Sequence, residues 1–230
     1  MAYKKKKTRN SKLLTGIILV AIIAIASTAI VYIVTQTPSK QTIQGVHVGD
    51  VFTYNITAKS ILFTSDAVTP AYLSQYNDTD YYQVSITGVN GSLVWFDTLW
   101  KFTNGTELKN PGWINLATGA NSGGFWAIYP SNLNVNDLLT PKGNSGLIVN
   151  STSTQTYATS TRTTNNWSTD NVLVDSSDPT GSTQQDNFIG VSFDKQTGML
   201  TSLTNVQQYN NPEYNILILW QLTNSTVWKV

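Results

Sequence analysis

From Asp80 to Leu108 the chain alternates with a period of two, and this pattern constrains the fold more tightly than any other segment. Tyr82, Val84 and Ile86 alternate with Gln83, Ser85 and Thr87. After Asn90-Gly91, residues Val94, Phe96, Thr98, Trp100 and Phe102 take one side, and Leu93, Trp95, Asp97 and Leu99 the other. Side chains two residues apart share a face of a strand. An Asn-Gly pair between two such runs favours a tight hairpin, because both residues tolerate positive φ. Asn104-Gly105 predicts a second reversal. Apolar residues on both sides of the intervening strand predict that each face is at least partly covered.

The same alternation recurs at residues 51–57, where Phe52, Tyr54 and Ile56 oppose Thr53, Asn55 and Thr57. Residues 188–193 and 199–206 read as strands joined by a turn at 194–198, and residues 214–222 read as the most buried strand, with 226–230 pairing at an edge. Residues 141–187, rich in Ser, Thr, Asn and Gly, predict strands only around 147–150 and 172–174. Residues 124–139 predict a short helix that Pro130 keeps from growing. Together these predict a mainly β fold: one antiparallel sheet domain, a curved half-barrel or a sandwich, with one or two short helices.

Ahead of this domain, Lys4, Lys5, Lys6, Lys7, Arg9 and Lys12 run into an uncharged apolar stretch over residues 13–34. As a helix it reaches roughly 33 Å, enough to cross a bilayer core. The basic flank predicts residues 1–12 as a cytoplasmic tail and residues 13–34 as a transmembrane helix in contact with lipid. Residues 35–45 then form a polar linker, and residues 46–230 an extracytoplasmic β domain. The competing reading is a cleaved secretory signal cut after Ala29, since Ser27-Thr28-Ala29 supplies small residues. Ile30 to Val34 continue the apolar run past that point, as a membrane span would. A pilin-like leader cut near Gly16 lacks the charge expected beside it.

Six of the 14 basic residues precede the span, which leaves 8 against 13 acidic ones outside, a charge of about −5. That balance argues against nucleic acid as a partner. No cysteine is present, so disulfides and thiolate metal sites are excluded. His47 is the single histidine and precedes the first strand, a poor position for a Ser-His-Asp triad, and no phosphate-binding glycine loop occurs. No catalytic residue, cofactor or metal site is assigned. Asp175, Asp178 and Asp186 around Gly181 offer oxygen ligands for calcium, but without the alternating spacing of an EF-hand they read as a solvated turn.

The pairing of Val48-Gly49-Asp50-Val51-Phe52-Thr53-Tyr54 with Phe193-Asp194-Lys195-Gln196-Thr197-Gly198-Met199-Leu200 resembles uncharacterised archaeal membrane-anchored surface proteins. Those combine an N-terminal span, an early "VGD-aromatic-x-Tyr" strand and a late "Asp-Lys-x-Thr-Gly" hairpin. More remotely, a curved sheet with such a hairpin is similar to half-barrel lipoprotein carriers of the LolA type. The resemblance implies a fold and a surface location, with no catalytic residues.

Seven sequons, at Asn55, Asn77, Asn90, Asn104, Asn150, Asn166 and Asn224, make glycosylation candidates. Among the tryptophans, Trp95, Trp100 and Trp220 lie in apolar strands and read as core. Trp113, Trp126 and Trp167, near Gly and Asn, are candidates for exposed aromatic platforms that bind a glycan or an apolar ligand. The functional expectation is a non-catalytic, membrane-anchored surface domain with a structural, adhesive or ligand-binding role, its partner a ligand or another surface protein. One alternative is a carrier or sensor of an apolar ligand in a cavity of the curved sheet. Another is a filament subunit that donates Ile30 to Val34 as a strand after signal cleavage.

Overall fold

The computed structural model describes residues 43–174 and 184–228. The span predicted over residues 13–34 lies outside the described residues, as do Asp175 and Asp178. No helix among the described residues is long and apolar enough to cross a membrane.

Nine strands form one antiparallel sheet: β1 (Val51–Leu62), β2 (Thr79–Asn90), β3 (Leu93–Phe102), β4 (Glu107–Asn115), β5 (Ser151–Tyr157), β6 (Ser160–Val174), β7 (Gln184–Asp194), β8 (Leu200–Asn210) and β9 (Glu213–Ser225). One short helix, α1 (Leu73–Asn77), lies between β1 and β2. The spatial order is β4-β3-β2-β1-β9-β8-β7-β6-β5. Two meanders, β1 to β4 and β5 to β9, are thus joined where β1 pairs with β9, along Phe52↔Ser225 through Leu62↔Tyr214.

This topology dictates the rest of the core. β4 and β5 are the two edges of the sheet, so the connection between them, residues 116–150, has to cross the whole width. It crosses on the face that carries Phe52, Tyr54, Ile56, Val84, Ile86, Val94 and Phe96, and buries Leu116, Phe125, Ile128, Leu133, Leu139 and Val149 against it. The sandwich alternative is therefore replaced by a single sheet under an irregular cover. α1 covers another part of the same face, with Leu73 against Ala58, Ile216 and Ile218.

Both predicted Asn-Gly reversals are present: β2 and β3 pair up to Asn90↔Leu93 around Gly91 (φ 58°), and Gly105 (φ 85°) sits in the β3–β4 turn. β3 buries Val94, Phe96 and Thr98, while Trp95 and Leu99 on its other face are half-buried. β9 corrects the expectation that residues 214–222 form the most buried strand. Ile216, Ile218 and Leu222 are buried, but Leu219 on the other face is 38% exposed among the described residues. Past β9, the Thr226 N–H donates to Val51 O and its Oγ1 accepts from the Val51 N–H, so this end extends the central pairing and forms no edge.

Two further expectations are corrected. Residues 124–139 contain no helix: Gly124, Asn132 and Asn136 all take positive φ, and Pro130 interrupts the segment, so the backbone turns repeatedly. The polar stretch after residue 141 is mostly strand. In β5 and β6, Thr and Ser pair across the ladder, as in Thr156↔Thr161 with hydroxyls 2.9 Å apart and Ser153↔Thr164 at 3.0 Å. β-Branched Thr suits a pleated surface even without apolar alternation.

Candidate functional site

The Asp-Lys-x-Thr-Gly segment is the turn between β7 and β8, and its chemistry is structural. Asp194 is 1% exposed. It accepts from Arg162 Nε (2.7 Å), Tyr157 Oη (2.5 Å), the Thr197 N–H (2.7 Å) and Thr197 Oγ1 (2.9 Å). Burial pushes the Asp194 carboxyl up, but the bonds from Arg162, Tyr157 and Thr197 and the guanidinium charge outweigh it, so its pKa lies below the usual carboxylate range. Burial, and then the bond to Asp194, push the Tyr157 phenol well up. Arg162 also stacks on Trp228, 4.3 Å from the ring centroid.

This turn fixes the crossing segment. Tyr129 N–H donates to Gly198 O (2.9 Å), and Asn132 N–H to Lys195 O (2.7 Å). Gly198 has φ 75°, and a Cβ there would collide with the Tyr129 carbonyl, so both the conformation and the close approach require glycine. Two turns at 123–124 and 130–132 then leave residues 125–129 extended, with Phe125, Ala127 and Tyr129 buried and Trp126 38% exposed.

Beside this segment lies a cavity of about 290 Å³. Its lining includes the aromatic residues Trp126, Tyr129 and Trp167, the aliphatic Ile114 and Leu139, and the polar Asn121 and Thr140. Trp126 and Trp167 are 6.2 Å apart between ring centroids, and Tyr129 meets Trp167 edge-on at 6.3 Å. No lining residue is charged. The volume lies at the small end of ligand pockets and suits a body about the size of one ring. Burial raises the Tyr129 phenol, only partly opposed by the facing Trp167 indole N–H, so the hydroxyl stays protonated across the physiological range. A neutral, aromatic-walled cavity can bind and orient; its lining carries the hydroxyls of Thr118, Thr140 and Ser145 but no carboxylate, imidazole or amine.

The three candidate tryptophans separate in space. Trp126 and Trp167 meet at the cavity, but Trp167 is 6% exposed and is a buried wall of it, because β6 points it inward beneath the crossing segment. Trp113 is 37% exposed and pairs with Trp95 across β3 and β4. Of the residues read as core, Trp100 and Trp220 are half-buried against the main cluster. His47 stands in an exposed turn with Asp50. Among the described residues no three His, Cys, Asp or Glu come together as a metal site.

The sequons differ in what binds their amides. Asn55, Asn77, Asn90, Asn104, Asn150 and Asn224 are exposed. Asn77, Asn104 and Asn150 accept a backbone N–H through Oδ1, which leaves Nδ2 to carry a sugar. Asn166 is engaged at both ends, donating to Ser151 and Ser153 and accepting from Ser192 Oγ at 2.6 Å.

No protein-family model matches this chain, and no curated protein matches it. Functional inference therefore rests on the geometry. Tyr129 and the Arg162–Asp194 pair escaped the sequence reading. The unbroken apolar run over residues 125–129 was the available signal for Tyr129. Nothing in the sequence links Arg162 to a carboxylate 32 residues away.

Proposed function

We propose that this chain is a single-pass, membrane-anchored surface protein whose outer β domain binds a small uncharged ligand without catalysis. The observation that carries the binding role is the cavity beside residues 125–129, walled by Trp126, Tyr129 and Trp167 and lined by no charged residue. The ligand sits beside the sheet and not under its centre, because Phe125 fills the central space against Tyr54, Tyr82, Phe96 and Trp220. The anchor is supported by the basic residues 4–12 followed by the apolar residues 13–34. Glycosylation is supported by six exposed sequons on the domain that such an anchor would hold outside the cell.

The binding role is tested with the full chain in lipid nanodiscs, by tryptophan fluorescence against cyclohexanol and benzoate. Cyclohexanol is expected to saturate a change that benzoate does not produce, since the cavity offers no cation to a carboxylate. Trp126→Ala removes a part-exposed wall and is expected to weaken cyclohexanol binding about tenfold with the fold intact. Equal response in the variant would place the binding elsewhere.

Anchor and modification are tested together by the intact mass of the native protein from the membrane fraction. The expected mass exceeds that of the full chain by carbohydrate, and peptide mapping leaves Asn166 bare. A mass lacking the first 29 residues would remove the anchor, and an unmodified mass the glycans.

A further inference from the structure

The two edges of the sheet are built differently. At β4 the outward backbone groups are closed off. The Trp113 N–H donates to Ser122 Oγ (2.9 Å), and the Trp113 carbonyl accepts from the Ser122 N–H (3.0 Å). Two residues earlier, Pro111 has no N–H to offer. Lys109 and Glu107 then follow at the same spacing, paired with each other at 3.1 Å. Proline and charge are what keep an exposed edge from pairing with another chain. β5 carries neither: it reads Ser-Thr-Ser-Thr-Gln-Thr-Tyr. Its register with β6 runs unbroken from Ser151↔Asn166 to Tyr157↔Ser160, and among the described residues it pairs with no other strand.

The β5–β6 turn decides which backbone groups face outward. Ala158 and Thr159 both take positive φ (45° and 66°). That is the two-residue hairpin turn, whose flanking pair, here Tyr157↔Ser160, exchanges both N–H···O bonds. Antiparallel pairs alternate, so Gln155 and Ser153 also bond to β6, while Thr156, Thr154 and Thr152 turn N–H and C=O away from it. All three threonines are exposed. Tyr157 is buried against Trp228, which bounds the open stretch at that end.

We infer that β5 is an interaction surface for a second copy of this chain, the two β5 strands pairing antiparallel about a two-fold axis at Thr154. In that register every outward group finds a partner: Thr154 faces its own copy, and Thr152 faces Thr156 in both directions. Each of these pairs is of the hydrogen-bonded kind and exchanges two bonds. The neighbour β5 already has shows what suits it. β6 sets Thr161 and Thr163 opposite Thr156 and Thr154, and a second β5 offers threonine again. No charge lies on the strand, so no like charges meet. The same pairing of β4 about Lys109 would oppose two ammonium groups. A two-fold contact is self-complementary and closed, so it ends at a dimer.

The test is the mass of the full chain in detergent by sedimentation equilibrium, beside two variants. Thr154→Pro deletes an N–H that β6 does not use. Thr154→Lys keeps the backbone and opposes two ammonium groups across the axis. The native chain is expected to be a dimer. Each variant is expected to dissociate at least about tenfold more readily with an unchanged circular dichroism spectrum. The chain has no cysteine, so Thr154→Cys carries a single nitroxide. Opposed Cα atoms of such a pair lie about 5.5 Å apart, so its spectrum is expected to be broadened until excess unlabelled chain is mixed in. A native monomer, a dimer that either variant keeps unchanged, or a dimer without broadening would overturn the assignment.

Discussion

Asp194→Ala is expected to destabilise the domain by about 3–5 kcal/mol, the range for breaking a buried ion pair by removing one partner. For a domain of this size that is a fall in Tm of roughly 6–20 °C. The variant strands the Arg162 guanidinium, frees the Tyr157 hydroxyl and opens the turn whose N–H groups the carboxylate holds. The turn in turn holds Tyr129 and Asn132, so the cavity wall is expected to loosen as well. A double replacement, Asp194→Leu with Arg162→Met, should recover part of the loss, because it removes both charges together. If the double variant is no better than Asp194→Ala, the cost lies in the turn and not in the pair.

The pH dependence follows with a definite sign. The folded pKa of Asp194 is lowered, whereas an unfolded Asp titrates near about 3.9. Its contribution is therefore fully present above about pH 4 and is lost as the pH falls through the depressed folded value. Denaturant melts between pH 6 and pH 2 should show a drop in stability at the acid end that Asp194→Ala lacks. An identical acid limb in both proteins would assign that drop to other carboxylates.

What the sequence disclosed and what it hid divide along physical lines. Strands with one wet face were legible because burial of Phe52, Tyr54 and Ile56 on one side imposes a period of two. The Asn-Gly turns were legible because few residues accept positive φ. Strands β5 and β6 were hidden, since their ladder is held by Thr, Ser and Asn, whose side chains bear no hydrophobic period. Val48-Gly49-Asp50-Val51 and Val135-Asn136-Asp137-Leu138 share one turn chemistry that their similar residues encode locally. In each, the Asp accepts the N–H three residues earlier, His47 or Asn134, and the residue before it has positive φ. The cavity was hidden for a different reason. It depends on the chain crossing from one sheet edge to the other, and strand order is a long-range property that local pattern does not carry.

That crossing also sets the second large effect. Phe125 is 3% exposed, and its ring centroid lies 5.6 Å from Tyr54, 6.2 Å from Phe96, 6.3 Å from Tyr82 and 6.4 Å from Trp220. Phe125→Ala is expected to cost about 3–5 kcal/mol, combining lost transfer energy with the void left behind. The surrounding rings belong to four paired strands, which limits how far they can collapse into the space. Such apolar voids stay dry and admit small apolar molecules. The variant should therefore gain a site for benzene under the centre of the sheet that the native protein lacks, seen as a Tm raised by benzene in the variant alone. A native protein stabilised equally by benzene would show that Phe125 does not fill the central space, and would return the ligand to the face of the sheet.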